Sequence, residues 1–97
     1  MRKITQDAIR AFNNNYKFKR GNTEVRIIGD YEQTQLRLHG NIIALKDNTG
    51  TYINTCGYKT VTTKERLNGL YDVHICQKNW DWYLNGDLWD GGYIKIN

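Results

Sequence analysis

Proline is absent from this chain, and cysteine occurs only as Cys56 and Cys76. Without proline, turns must come from Gly, Asn and Asp, which tolerate or pre-form turn geometry. Two thiols make no disulfide framework, so a reducing compartment with free, buried cysteines is expected. No apolar run approaches the ~20 residues that cross a membrane as a helix, so no membrane partner is expected. Met1–Asp7 carries no long apolar segment, so a cleaved secretion signal is not expected and the protein reads as soluble and cytoplasmic. There is no phosphate-cradling glycine loop and no paired C-x-x-C metal spacing. An RNA-reading K/R-G-F strand, a zinc finger and a helix-turn-helix are missing too.

The 97 residues fit one domain spanning 1–97, which buries roughly two-thirds of its unfolded surface. The basic excess sits at one end. Residues 1–20 hold Arg2, Lys3, Arg10, Lys17, Lys19 and Arg20 against Asp7, whereas residues 71–97 carry four aspartates against two lysines. Such asymmetry points to an anionic partner, or to a solvated helix face.

Periodicity gives the elements. Ile4, Ala8, Phe12 and Tyr16 recur at helical spacing, with Ile9 and Ala11 at the margins. The spacing predicts a helix from Thr5 to about Tyr16, with Thr5 as N-cap and Lys3, Arg10 and Lys17 as a basic stripe on the opposite side. From Asn22 to Thr55 the period becomes two: Val25 and Ile27 flank Arg26, and Leu36 and Leu38 flank Arg37. This reads as a four-strand antiparallel meander, with Ile42–Lys46 as its more central strand and turns at Gly29-Asp30, His39-Gly40-Asn41 and Asp47–Gly50. Thr60–Gly69 returns to helical signals, with Thr62 and Glu65 at capping-box spacing, Leu67 and Leu70 facing inward, and Gly69 as a left-handed stop. Val73–Gln77 is a strand, two Trp-rich segments follow, and Tyr93–Ile96 is the last element. The predicted class is α+β: one domain with an antiparallel twisted sheet of about six or seven short strands, in the order α-β-β-β-β-α-β-β-β.

All three tryptophans fall between Trp80 and Trp89, in a run broken by Asn85-Gly86 and Asp90-Gly91-Gly92. Trp80, Trp82 and Leu84 are expected on one strand face, with Trp82 opposite Trp89 across the Asn85-Gly86 turn. These rings are either sheet core or a stacking platform. Asp81, Asp87 and Asp90 would repel phosphates, so a sugar or a basic protein surface suits the patch better than nucleic acid. Trp80, Tyr83, Tyr93 and Tyr71 are the candidate protein-binding residues. Lys3, Arg10, Lys17, Lys19, Arg20, Lys64 and Arg66 are the candidate phosphate contacts, provided the two helices share one side of the sheet.

Catalysis finds little support. Cys56 or Cys76 with a histidine, or Asp87 with Asp90, could be named as reactive pairs, but no motif accompanies them. His74, Cys76, His39 and Cys56 could in principle make a ligand set, yet their spacing is unlike zinc sites. Cys76 reads instead as a small core filler. Neither enzyme activity nor a metal or cofactor is expected.

L-R-L-H-G-N-I-I-A (Leu36–Ala44), C-G-Y-K-T-V-T-T-K-E-R-L-N-G-L (Cys56–Leu70) and the closing W-Y-L-N-G-D-L-W-D-G-G-Y-I-K-I resemble a family of small phage and prophage proteins. The resemblance covers most of the chain. It implies a mobile element working in a bacterial host cytoplasm, and it carries over no site residues. A small accessory protein of this kind is expected to bind a host protein or nucleoprotein complex, such as a defence or transcription complex, and modulate it. Direct DNA or RNA binding through the basic helix is the alternative. W-Y-L-N-G-D (Trp82–Asp87) also looks like part of a choline-type cell-wall-binding repeat. Those repeats work in tandem arrays, and this single copy reads as independent hairpin chemistry.

Overall fold

The computed structural model describes residues 1–97. The leading helix, α1 (Lys3–Asn14), is followed by five strands: β1 (Phe18–Arg20), β2 (Thr23–Ile28), β3 (Gln33–Leu38), β4 (Asn41–Asp47) and β5 (Gly50–Ile53). A second helix, α2 (Val61–Leu67), leads to β6 (Ile75–Lys78), β7 (Asp81–Leu84), β8 (Asp87–Trp89) and β9 (Ile94–Lys95). The class is the α+β expected, and the four-strand meander is β2 to β5. The strands form two antiparallel sheets, one of six strands ordered β1-β2-β3-β4-β5-β9 and one of three ordered β6-β7-β8. β1, whose residues are mostly charged, is a strand beyond those expected, and the last element, β9, pairs with β5 in the six-stranded sheet.

Alternation along the meander builds the core. Val25, Leu36, Ala44, Ile53 and Ile94 stand in one cross-strand row. β4 lies near the middle of its sheet, as its apolar content suggested. It also bulges: Leu36 pairs with Ala44 but Arg37 with Ile42, so Ile43 is the extra residue. The bulge lets Ile43 and Ala44 both turn inward, at 2% and 1% exposed. One continuous cluster of buried side chains runs from Phe12 through both sheets to Trp82 and Trp89.

Both helices begin differently from the sequence reading. α1 is entered through Arg2, with no side-chain cap, and ends at Asn15 in the left-handed region (φ 58°). Thr5 is therefore one turn inside the helix and fully buried. Tyr16 lies beyond the helix and is exposed, so the buried stripe is Thr5, Ala8, Ile9, Ala11 and Phe12. The Lys46 ammonium donates to the Asn13 carbonyl at 3.0 Å and lies 5.1 Å above the Phe12 ring, complementing the negative end of the helix. In α2 the capping hydroxyl is that of Thr60, which accepts from the Thr63 amide at 3.1 Å. Thr62 does not cap, and Glu65 does not complete a capping box.

Glu65 belongs to a buried network. Arg66 is 1% exposed. Its guanidinium donates to Glu65 at 2.5 Å, to the Thr5 hydroxyl at 2.8 Å and to the Thr23 hydroxyl at 3.0 Å. The Thr5 hydroxyl donates in turn to Glu65. Burial pushes the Glu65 carboxyl up, but the hydrogen bonds from Thr5 and Arg66 outweigh it and hold the group below its ordinary value. α1, α2 and β2 are thus pinned by one charged cluster in which Glu65 Oε1 takes the hydrogen bonds and Glu65 Oε2 is buried without a partner. Gly69 is not a left-handed stop either. A Cβ there would come within 2.6 Å of Ile9 Cγ1 and 3.0 Å of Thr5 Cγ2, so glycine is what allows the turn after α2 to sit against α1.

Candidate functional site

The smaller sheet is two tight hairpins. Lys78 pairs with Asp81 around Asn79-Trp80, and Leu84 pairs with Asp87 around Asn85-Gly86. A third two-residue turn, His39-Gly40, joins β3 to β4 in the larger sheet. In all three, both central residues have positive φ, the geometry that suits strand twist and favours glycine at the second position. Gly40 and Gly86 follow that rule. At the same place in the first hairpin stands Trp80, at φ 73° and 90% exposed. A bulky residue there is strained by about 1–3 kcal/mol. The expectation that Trp80 shares a strand face with Trp82 and Leu84 is corrected, because Trp80 makes the turn itself.

Trp82 and Trp89 are core, at 3% and 6% exposed, with ring centroids 6.4 Å apart. The Trp89 indole N–H donates to the Gly92 carbonyl at 3.0 Å. The opposite face is open. Cys76, Tyr83 and Leu88 form one cross-strand row there, with Cys76 exposed, Tyr83 half-buried and Leu88 69% exposed. Cys76 is therefore no core filler, since its neighbours Ile75 and Trp82 take the inward positions. Tyr71, just before this sheet, is 98% exposed. Asp81 and Asp90 line one shallow cleft with Leu88, Trp89 and Lys59, and Lys78 stands opposite Asp81 in the sheet.

Tyr93 does not join this group. It stacks on Tyr52 of the larger sheet, centroids 5.1 Å apart and planes 11° apart, and remains 60% exposed. Burial, then the neighbouring Tyr52 and Asp47, push its hydroxyl above the usual tyrosine range. Cys56 is half-buried, not buried; its thiol donates to the Ile42 carbonyl at 3.1 Å, and burial pushes it up.

The predicted basic stripe is broken up. Lys3 and Arg20 both reach Asp7, at 3.4 and 2.8 Å, and the Arg20 hydrogen bond chiefly holds Asp7 below the usual carboxylate range. Lys17 lies past the left-handed Asn15, off the helix. Lys64 is half-buried, its ammonium 5.9 Å from the Trp82 ring centroid. Arg66 is corrected outright: it is a core residue held by Thr5, Thr23 and Glu65, out of reach of any phosphate. Arg10 is exposed and outside every ion pair. Lys19 is exposed on β1, on the sheet face away from the helices. No group of three or more His, Cys, Asp and Glu side chains is arranged to hold a metal, and no helix is long and apolar enough to cross a membrane.

A family model described as Kyanoviridae Gp96 protein matches residues 1–95. The chain belongs to that family. The resemblance to phage proteins thus resolves to a cyanophage family, and the match takes in both sheets of this Gp96-family chain. No curated protein and no solved structure matches it.

Proposed function

We propose that the protein is a non-enzymatic phage accessory protein that binds a host protein, alone or within a nucleoprotein complex, through the Trp80 hairpin and the open face of the smaller sheet. The observation that carries this reading is Trp80, a large ring in water at a backbone position that disfavours it. Folding gains nothing visible from that arrangement, whereas an interface gains a rigid aromatic anchor. Leu88 and Tyr83 supply apolar area on the adjoining face, and Tyr71 is a further exposed ring near this sheet. Asp81 and Asp90 beside Leu88 suit a partner with a basic protein surface and an apolar recess for the indole.

The test is Trp80→Gly, read two ways. Glycine relaxes the turn, so the variant should unfold about 1 kcal/mol harder than the parent, or no more easily. Capture of partners from nuclease-treated host lysate should fall at least tenfold, the cost of a hot-spot residue. A variant that keeps every captured partner would remove Trp80 from the interface. One that loses stability by more than about 1 kcal/mol would make Trp80 a folding residue instead.

A further inference from the structure

We propose that the face of the six-stranded sheet turned away from both helices is a binding platform for single-stranded nucleic acid. It lies on a different sheet from Trp80 and stands independently of that reading.

Register places Lys19, Glu24, Arg37 and Ile42 in one cross-strand row, and Arg26, Gln35, Leu45, Tyr52 and Lys95 in the next. The helices occupy the other face. Val25 and Leu36 pack in the core beneath α1, and Thr23, which receives the Arg66 guanidinium, shares their side of the sheet. No helix covers the two outer rows.

Charge on this face is lopsided. Lys19, Arg26, Arg37 and Lys95 stand against Glu24 in these rows and against Asp47 in the row beyond, next to Lys95. Arg26 donates to Glu24 at 2.9 Å and does most to hold that carboxyl below its usual range, with the charges of Lys19 and Arg37 adding to it. Three cations therefore converge on one acid, and a positive field is left over. Lys17 shares a shallow groove with Lys19 and Arg26 and adds to it.

Arg37 is held differently. Its Nε and one terminal nitrogen donate to the Gln35 side-chain oxygen at 3.0 and 2.7 Å, and Gln35 donates onward to Gln33 at 2.5 Å. Gln35 is 7% exposed, so this chain of amides is anchored in the sheet. The guanidinium is fixed by a neutral partner and is in no ion pair, though Glu24 faces it across the strands, and its remaining N–H donors are free. That arrangement suits a phosphate oxygen.

The aromatic half of the platform is the Tyr52–Tyr93 stack, whose outer ring is largely in water. One more flat ring can extend the stack, and every nucleobase has such a face. Six strands at about 4.8 Å spacing make a surface roughly 24 Å wide, enough for the shorter single-strand site sizes of about four nucleotides. A duplex hides its base faces, and a broad sheet does not enter a groove, so the geometry selects single strands over double strands.

The experiment is fluorescence anisotropy with labelled oligo-dT and oligo-rU of about 12 nucleotides, within the span of single-strand sites. Binding at ~50 mM salt should weaken on raising salt, with a log–log slope of about −2 to −3 for three or four neutralised phosphates. The double variant Arg26→Gln, Arg37→Gln should lose at least tenfold in affinity and about 1.4 of that slope. Tyr93→Ala should lose about tenfold, and a duplex of the same length should bind more weakly than either oligonucleotide. Lys3→Ala with Arg10→Ala on α1, and Trp80→Gly on the smaller sheet, should leave affinity within about twofold. Four outcomes would overturn the proposal: no binding at ~50 mM salt; parental affinity in an Arg26, Arg37 double variant that melts like the parent; loss confined to the Lys3, Arg10 variant; or equal affinity for a polyglutamate peptide, which would make the partner an acidic protein.

Discussion

The two sheets solve the same problem in opposite ways. The larger one has its inner face under two helices and its outer face studded with cations tied to amides and to Glu24. The smaller one turns its two buried tryptophans inward, shows Leu88 and Tyr83 to the other side, and sets Asp81 and Asp90 beside Leu88. Their two-residue turns share one geometry, closed by Gly40 at β3–β4 and Gly86 at β7–β8, with Trp80 in the glycine's place at β6–β7. The contrast teaches where folding alone explains the residues. In the larger sheet, local rules and burial agree along the strands, and the one comparable exception is Tyr31 in the β2–β3 turn, at φ 60° and 70% exposed. The Trp80 hairpin breaks a local rule without a packing return, and such places are where function is to be sought.

The largest expected effect tests whether the two sheets are one cooperative unit. Phe12 packs under the larger sheet, while all three tryptophans belong to the region of the smaller one. Phe12→Ala should destabilise by about 3–5 kcal/mol. Tryptophan fluorescence and far-ultraviolet circular dichroism should still report one shared denaturation midpoint. Two separated midpoints would split the molecule into independent halves. A loss under about 1 kcal/mol would mean that α1 is not docked through Phe12.

A middle-sized effect concerns the joint between the sheets. Gly91 has φ 88°, its carbonyl accepts from both the Thr55 amide and hydroxyl at 2.8 Å, and a Cβ there would lie 2.7 Å from the Thr55 hydroxyl oxygen. Gly91→Ala should cost about 1–3 kcal/mol. Hydrogen exchange at the Trp89 indole N–H should quicken more than at the β2–β3 amides, since Trp89 is two residues from that joint and β2 and β3 are remote from it. Uniform acceleration would mean that the joint does not separate the two regions.

The smallest expected effect sharpens the account of α2, which bridges them. Thr60→Ala removes the capping hydroxyl and should cost about 1 kcal/mol in thermal or chemical denaturation, whereas Thr62→Ala should stay within about 0.5 kcal/mol. Reversal of that order would restore Thr62 as the cap.

Much of the larger sheet was legible because strand faces follow from a period of two, and Val25, Leu36 and Ile53 all obeyed it. The Asn85-Gly86 turn was legible because Asn-Gly states its own geometry. The Asn79-Trp80 turn was not, since tryptophan is a poor signal for a left-handed position. Charge misled at Arg66, because a lone arginine in a short helix reads as surface until its partners are known, and those partners are Thr5 and Thr23. Among the candidate phosphate contacts, Lys3, Arg10 and Lys17 follow helical spacing, and the left-handed turn at Asn15 breaks that stripe. Arg26 and Arg37 alternate with apolar residues, and nothing in their separation along the chain says that β-pairing sets them near Lys19.

By itself the sequence determined the meander, both amphipathic helices and the pairing of Trp82 with Trp89, because side-chain direction in a regular element depends only on nearby residues. The tertiary structure alone decided that Arg66 goes inside, that Ile94–Lys95 rejoins the larger sheet beside β5, and that Trp80 faces water while Trp82 does not. Those outcomes rest on partners up to 61 positions away, as between Thr5 and Arg66, and on which surfaces remain uncovered once the chain has closed on itself.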